Sequence, residues 1–418
     1  MKLATLLKRY APIYLFRIYH EYFGNYPAVQ GGELRNLRQV LAGTSWNMSY
    51  GKISVHHQLE EAFAQFTGAP HAIAISSGGM GIQAALRASG LAPGSEVFHQ
   101  VDICPAVPFS VINAHLTPRF LDISPESLML DVQQINLANA GNSAVIATHI
   151  WGNPENIGGI QARIQSSKSE VFLIEDCCLA LGTKINGKHV GTFGAAGIFS
   201  FGSTKQLQAG EGGMVITKDE NLAKEIRALR HWAERRIDFS ENDIKTIGLN
   251  GRMSEFVAAI VLAQLKEYPR RLSRIIENVM KFSEYLGASS SFNLHQTSLN
   301  EGDQSTFSQI TLTLPWEIEV RTAQGLKDRL TNELRKSDVN VLPGNFVPLN
   351  YYEIFKKGGY LKWTNDGLGS VKEIQEFPNA KNIYENYSIG IPTANFINAR
   401  KYESFLKIFS KAEYSALR

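Results

Sequence analysis

Short apolar runs alternate with amphipathic stretches over residues 54–265 of the chain. The runs have the length of buried strands, and the stretches between them space their apolar positions as helices do. In chain order the strand-like runs are HAIAIS, SEVFHQV, RFLDIS, AVIATHIW, VFLIED, GIFSF and GMVIT. This alternation predicts an α/β fold with a mixed but mainly parallel central sheet.

The pattern changes after this region. The segment IVLAQLKEYPRRLSRIIENVMKFSEYL predicts a long connecting helix that is broken near Pro269. Beyond it, FSQITLTL and later helical stretches predict a smaller C-terminal α+β domain. The predicted organisation is an N-terminal extension with helices (1–44), a large α/β domain (45–268) and the small domain (269–418). The polar, glycine-containing stretch 355–376 predicts a loop or flexible insert.

A single lysine, Lys205, lies on a tight polar turn between two apolar runs, in GIFSFGSTKQLQAGEGGMVIT. A lysine in a loop is usually solvated. At the mouth of a sheet and beside a phosphate site, however, its amine can be desolvated and form a Schiff base with an aldehyde cofactor. Ser200 supplies a hydroxyl suited to a phosphate, and Gly210, Gly212 and Gly213 allow the backbone to approach a ligand closely.

Two further patterns place polar groups where such a cofactor needs them. The run VFLIED predicts a buried strand that ends at Asp176, and ligands of doubly wound sheets bind outside the carboxyl ends of the strands. A carboxylate there can keep a pyridine nitrogen protonated, although in isolation a turn or capping role is the more common use of an aspartate. The run HAIAISSGGMGIQAALRASGL predicts a strand, a glycine turn and a helix whose first N–H groups can bind phosphate. It matches neither the Walker nor the dinucleotide glycine pattern, which disfavours nucleotide hydrolysis and NAD binding.

These three motifs, in this order, resemble one family closely. SSGG before a helix, ED at a strand end, and SFGSTK followed by GEGGMVIT are similar to the DegT/DnrJ/StrS family, the sugar aminotransferases of the fold type I enzymes that use pyridoxal 5'-phosphate (PLP). The resemblance runs from about Ser45 to Tyr268 and returns at FPNAKNIYENYSIGIP. It implies a fold type I PLP-dependent transferase.

The resemblance also implies roles for individual residues. Lys205 would bind the cofactor covalently and move the substrate proton, and Asp176 would pair with the pyridinium nitrogen. Ser200 and the backbone amides of Gly79 and Met80 would bind the phosphate. Asn250 matches the asparagine that in this family reaches the phosphate of the neighbouring subunit, which implies a homodimer with shared active sites.

Three positions depart from the family pattern. Leu179 stands where a Gln or His usually lies near the cofactor's phenolic oxygen, Cys104 where an aromatic ring usually stacks on the cofactor, and Gly79 where a Thr is usual. A shifted loop would still allow Phe109 to cover the ring. The substitutions are compatible with a divergent transaminase or with a changed reaction.

Composition is that of a soluble enzyme. The chain has 418 residues, 44% of them hydrophobic, and a net charge of only +3 with scattered Lys and Arg, so no nucleic-acid partner is predicted. Its three cysteines form neither a disulfide framework nor a zinc spacing, and they suit a reducing cytoplasm. The His56–His57 pair lacks a second cluster of ligands, so no metal is predicted. Residues 6–23 are aromatic and basic, and their apolar stretch is shorter than the roughly 20 residues of a transmembrane helix.

The first expectation from the sequence is a PLP-dependent aminotransferase with pyridoxamine phosphate as an intermediate. An amino acid such as glutamate would be the donor, and a keto-sugar, nucleotide-linked, or a related cyclic ketone the acceptor. The alternatives are a PLP enzyme that catalyses elimination, decarboxylation or cyclisation, or a non-catalytic sensor that retains the fold. His149 and Trp151, in THIWGNP, are open candidates for contact with substrate or cofactor.

Overall fold

A computed structural model of the chain describes residues 32–43, 54–137, 141–167, 169–233, 246–295, 302–356 and 376–417. Most of the predicted N-terminal extension, the predicted start of the large domain at Ser45, and residues 357–375 of the predicted insert lie outside the described residues. Residues 353–356 of the chain, just before that segment, form a short helix.

A mixed sheet of seven described strands forms the centre of the molecule, in the order β1-β9-β8-β5-β4-β2-β3. Its strands are β1 (His71–Ile75), β2 (Glu96–Gln100), β3 (Thr117–Leu121), β4 (Ser143–Thr148), β5 (Val171–Asp176), β8 (Ala196–Ser200) and β9 (Gly213–Thr217). β3, β2, β4, β5 and β8 are mutually parallel, whereas β9 runs antiparallel to both β8 and β1. The predicted α/β fold with a mainly parallel sheet is confirmed.

Helices cover this sheet and continue into the second half of the chain. They are α1 (Gly32–Ala42), α2 (Val55–Thr67), α3 (Gly78–Ala88), α4 (Ala106–Asn113), α5 (Ile157–Ser166), α6 (Glu220–Leu229), α7 (Glu255–Ser289), α8 (Val320–Lys336), α9 (Glu353–Lys356), α10 (Pro378–Asn382) and α11 (Ala399–Ala416). Side-chain caps start several of them, among them Ser54 at α2, Ser77 at α3 and Asp219 at α6.

A second, antiparallel sheet lies in the C-terminal part, in the order β10-β11-β13-β12. It consists of β10 (Asn293–Leu294), β11 (Gln309–Thr313), β12 (Leu342–Pro343) and β13 (Ser388–Pro392), and a small hairpin, β6 (Lys184–Ile185) with β7 (Lys188–His189), precedes it in the chain. One contiguous buried cluster extends from the central sheet, at Val215, to this second sheet, at Ile310. In the part of the chain that the structure describes, every helix is too short or too polar to cross a bilayer.

The prediction that the connecting helix breaks near Pro269 is wrong, because α7 is one helix of 35 residues that continues past this proline. Proline removes one backbone donor and normally interrupts a helix. Here its neighbours Leu265, Tyr268 and Leu272 are buried in one apolar cluster, so their burial offsets the lost hydrogen bond. The predicted domain boundary between residues 268 and 269 therefore falls inside a helix.

Candidate active site

Asp176 is the last residue of β5 and lies at the carboxyl edge of the parallel strands. β5 lies between β4 and β8 in the sheet, and these two strands end at the hydroxyl residues Thr148 and Ser200. Asp176 is 5% exposed, and its Oδ1 accepts a hydrogen bond from the Cys178 backbone N–H at 3.0 Å. The carboxylate is thus fixed by the turn that immediately follows its own strand.

Ser200 and Lys205 lie together at the end of the neighbouring strand. Ser200 closes β8, and its Oγ accepts from the Gly202 N–H at 3.3 Å. A Cβ added at Gly202 would lie 3.6 Å from Ser200 Oγ and 3.9 Å from Lys205 Cγ, so both side chains flank this glycine. Lys205 is half-buried, and the tight turn is closed by the hydrogen bond from its own N–H to Gly202 O at 3.1 Å.

The first turn of α3 comes to the same place. A Cβ at Gly78 would lie 2.6 Å from Cys178 Sγ and 3.1 Å from Ser200 Cβ, so only glycine fits at this position without a shift. The N–H groups of Gly78 and Gly79 make no hydrogen bond to another described residue, as expected for the first turn of a helix. The turn therefore offers free amides beside Ser200.

The backbone N–H of Met80, which the resemblance assigns to the phosphate, already has a hydrogen-bond partner. It donates to the capping Ser77 Oγ at 3.1 Å. A phosphate at this turn would share or displace that cap. Gly78, for which the sequence predicts no binding role, is the glycine of this turn at which an added Cβ would be most crowded.

Cys178 interacts electrostatically with both the Asp176 carboxylate and the Lys205 ammonium. Burial raises the pKa of its thiol well above the usual range, the Asp176 carboxylate raises it further, and the Lys205 ammonium lowers it. Its S–H points to Ile198 O at 3.8 Å. The thiol is therefore a neutral packing group, within electrostatic range of both predicted catalytic residues.

Helix α4 closes one side of the turn. Ser110 Oγ lies 2.9 Å from Gly79 O and 2.6 Å from Ala106 O, either of which can accept its hydrogen, and Ala106 Cβ lies 3.7 Å from a Cβ built on Gly79. Cys104, half-buried, accepts from the Val107 N–H at 3.0 Å just before this helix begins. Phe109, the open candidate for a covering ring, stacks on Phe355 with ring centroids 5.7 Å apart.

Leu179 brings no polar side chain to the loop after Asp176. It is 8% exposed, and its carbonyl accepts a hydrogen bond at 3.0 Å from Nε2 of Gln206, the residue after Lys205. The family's Gln or His is thus absent in chemistry as well as in sequence.

Asn250 lies on the surface, next to Gly251, whose carbonyl accepts a hydrogen bond from the Ser76 N–H at 2.8 Å. Asn250 is exposed, forms a β-bridge with His231, and its Oδ1 accepts from Arg252 Nη2 at 3.3 Å. The Arg252 guanidinium in turn lies over the Trp232 ring at 4.0 Å.

His149 does not face the site as a free group. It is fully buried, with Nε2 3.2 Å from Glu175 Oε2, and Nδ1 accepts from the Glu155 N–H at 3.0 Å. Glu175 also accepts from the backbone N–H groups of Gly191, Phe193 and Gly194. His149 is a structural residue in this network. Among the described residues, no three His, Cys, Asp or Glu side chains come together as a metal site.

Comparison with known proteins identifies a family for this chain. The profile of the DegT/DnrJ/EryC1/StrS aminotransferase family matches residues 27–366. The chain belongs to this family. The resemblance inferred from its motifs is thereby confirmed.

Individual relatives of this family member are named for sugar chemistry. It is 28% identical to the GDP-perosamine synthase of Vibrio cholerae over 319 residues, which cover 76% of this chain and 83% of that protein. It is 35% identical to the UDP-N-acetyl-3-dehydro-alpha-D-glucosamine 3-aminotransferase of Acidithiobacillus ferrooxidans over 211 residues, 49% of this chain and 55% of that one. The fold is similar to that of an aminotransferase from Psychrobacter cryohalolentis, with a TM-score of 0.80, 22% identity, and coverage of 94% and 99% of the two chains.

The sequence predicts no site role for Cys178, Gly78 or Gln206. Each is a near neighbour in sequence of a predicted residue, so proximity to Asp176, Gly79 and Lys205 was the available signal. The contact between Gln206 and Thr306 had no such signal, because 100 positions separate the two residues.

Proposed function

We propose that this family member is a PLP-dependent aminotransferase that moves the amino group of an amino acid, glutamate in the first instance, to a nucleotide-linked keto-sugar. The observation that carries the proposal is the convergence of Lys205, Ser200, Asp176 and the first turn of α3 at one edge of the sheet. A lysine, a buried carboxylate and a free helix N-terminus beside a hydroxyl are the groups that this cofactor requires.

The donor set fits PLP. The amides of Gly78 and Gly79 and the Ser200 hydroxyl would hold the phosphate, because a Cβ at Gly78 would fill the space against Cys178 and Ser200. Asp176 would hold the ring nitrogen protonated, and Lys205 would bind the aldehyde. When bound, PLP supplies an aldehyde and an electron sink, and carries the amino group between two half-reactions as pyridoxamine phosphate.

The chain's own residues then have distinct tasks. Lys205 Nζ takes the α-proton of the donor and returns it, a role for which a half-buried amine on a short turn is suited. The Asp176 carboxylate, oriented by the Cys178 N–H, would accept a hydrogen bond from the protonated ring nitrogen. Burial of Cys178 and Leu179 beside these groups keeps water from them and strengthens the electrostatic interactions.

The acceptor class rests on the relatives. Both the GDP-perosamine synthase and the UDP-N-acetyl-3-dehydro-alpha-D-glucosamine 3-aminotransferase carry names of nucleotide-linked sugars. A keto-sugar on a nucleoside diphosphate is therefore the first acceptor to test, with a cyclic ketone as the second.

Two surface features support a homodimer with shared sites. Asn250, matched to the residue that reaches a neighbouring subunit's phosphate, is exposed and beside Arg252. Two large apolar side chains near it in the chain, Trp232 and Ile247, are 49% and 78% exposed. A second copy of this chain would cover them. Free Cys104, Cys177 and Cys178 support a reducing, cytoplasmic location.

Borohydride reduction of the PLP-loaded protein tests the proposal. We expect a phosphopyridoxyl group on the peptide that contains Lys205, and Lys205→Arg, which keeps the charge, should lose it. An adduct on another lysine, or none at full cofactor occupancy, would refute the assignment.

A further inference from the structure

The side chain of Gln206 joins three segments that meet beside Lys205. Its Nε2 donates to Leu179 O at 3.0 Å, in the loop that follows Asp176, and to Thr306 Oγ1 at 3.1 Å, just before β11 of the second sheet. Its Oε1 accepts from the Leu181 N–H at 3.5 Å. Both amide hydrogens of the residue next to the lysine are therefore used to hold other parts of the chain.

The hydroxyls beyond Gln206 fix the direction of these bonds. Thr183 Oγ1 donates its single hydrogen to Gly152 O at 2.7 Å, so Thr306 must donate to Thr183 across their 3.0 Å contact. Thr306 Oγ1 is then an acceptor for Gln206. Thr183 and Thr306 are 0% and 1% exposed, which excludes bulk water as a substitute partner. The amide orientation of Gln206 follows from the network.

A different contact holds the far end of the same turn. The Gln208 N–H donates to Gln264 Oε1 at 2.8 Å, and Gln264 Nε2 donates back to Gln208 O at 2.8 Å, on α7. Helix α7 also reaches the turn through Arg271, which donates to Gln206 O. The turn's backbone is thus anchored to α7, whereas the Gln206 side chain anchors it to the loop after Asp176.

We propose that Gln206 is a positioning residue that fixes Lys205 relative to the Asp176 loop, and that Thr306 makes this position depend on the second sheet. The inference rests on the proposed role of Lys205. Proton transfer depends steeply on geometry, and a displacement of about 1 Å can cost a rate about 100-fold. Loss of the two hydrogen bonds donated by Gln206 would allow the turn that carries Lys205 to shift relative to the loop after Asp176.

The test compares Gln206→Met with Gln264→Met in the full-length, PLP-loaded protein. Both changes replace a glutamine by an unbranched apolar chain, but only the first breaks the contacts to Leu179 and Thr306. For the half-reaction with glutamate we expect Gln206→Met to lower kcat at least about tenfold with little change in KM. We also expect it to shift the pH midpoint of the visible absorbance of the lysine–cofactor linkage. Gln264→Met should retain the wild-type midpoint.

Thr306→Val is a milder variant that removes the acceptor and keeps the shape. If the contact acts as proposed, Thr306→Val lowers kcat in the same direction, and the double variant with Gln206→Met is no slower than Gln206→Met alone. The inference would be overturned if Gln206→Met kept the wild-type kcat and midpoint, or if Gln206→Met and Gln264→Met had equal effects. In either case, a half-reaction of the wild-type protein with glutamate would leave the proposed function intact. A wild type that binds PLP but accepts no amino donor would remove the proposed function, and the absorbance midpoint would still decide the role of Gln206.

Discussion

At the scale of single residues, Gly78 leaves no room for a side chain. Gly78→Ala would bring a Cβ within 2.6 Å of Cys178 Sγ and 3.1 Å of Ser200 Cβ. Such overpacking costs about 1–3 kcal/mol, and it would move the turn whose amides we assign to the phosphate. We expect PLP to bind about tenfold more weakly, as measured by equilibrium dialysis.

Gly158→Ala is the matched control for this change. Gly158 also lies in the first turn of a helix, α5, but a Cβ there meets nothing within 4 Å. It should leave PLP affinity unchanged. Equal affinity in both variants would argue against a phosphate site at the first turn of α3.

The site residues that the sequence alone identifies are those whose adjacent residues in the chain indicate their position. Lys205 stands out because a charged residue between two buried runs must lie on a turn, and Asp176 because it ends an apolar run. The half-buried Cys178 and the bonds of Gln206 depend on which loops meet in space, so neither follows from spacing. The hydrogen bond of His149, an open candidate from the sequence, is unpredictable for the same reason, since its partner Glu175 lies on a different strand.

At the scale of elements, helix α2 is tied to the central sheet by a buried carboxylate. Glu60 pairs with Arg227 and Arg230 at 2.5 and 2.7 Å, and its Oε1 accepts from the Ala74 N–H of β1 at 2.9 Å. Burial alone would raise the pKa of Glu60, but the two guanidiniums and their hydrogen bonds outweigh it and lower the pKa from 4.5 to about 2. The ionised group therefore stabilises the fold.

Glu60→Gln should lower the free energy of unfolding by about 3 kcal/mol at pH 7, because it leaves two arginines beside a neutral partner. A depressed pKa gives stability that is present above the unfolded value and is lost on acidification. The wild type's advantage over Glu60→Gln should thus shrink as the pH falls from about 4.5 to about 2. Urea denaturation over this range measures it. Glu61→Gln, on an exposed part of the same helix, is the control, and a pH-independent difference between wild type and Glu60→Gln would contradict the argument.

Packing between elements also explains why the predicted break at Pro269 does not occur. Proline predicts a break from local geometry, yet the fate of α7 at Pro269 depends on whether its neighbours are buried by other elements. Leu265, Tyr268 and Leu272 are buried, and Tyr268 also donates its hydroxyl to Leu181 O at 2.6 Å. The mainly parallel α/β sheet, by contrast, was predictable from the alternation of strand-like and helix-like runs, because most parallel connections contain a helix.

At the scale of the whole molecule, we propose that two chains form the active unit. The exposed Asn250 does not complete the site of its own chain in any described contact, and we propose that it serves the site of a second copy. Mixing a Lys205→Ala chain with an Asn250→Ala chain tests this. If sites are shared, a mixed dimer has one site with both changes and one intact site, so activity should return to a fraction of the wild-type level. No recovery in dimers shown by mass spectrometry to be mixed would place the Asn250 function within its own chain or remove it.

Transamination by this site is measured most directly in the half-reaction with glutamate. PLP-loaded protein, mixed with glutamate alone, should lose the visible band of the lysine–cofactor linkage and release one equivalent of 2-oxoglutarate per site. Asp176→Asn should retain the cofactor but react about 100-fold more slowly, because an amide stabilises the protonated ring less well. Leu179 and Cys104, the departures near the cofactor, are expected to tune this rate without changing its outcome, because one lost hydrogen bond is worth only about 0.5–1.5 kcal/mol. If no amino acid of a donor panel converts the cofactor, while a keto-sugar is consumed with PLP unchanged, the protein is not an aminotransferase and the eliminating alternative takes its place.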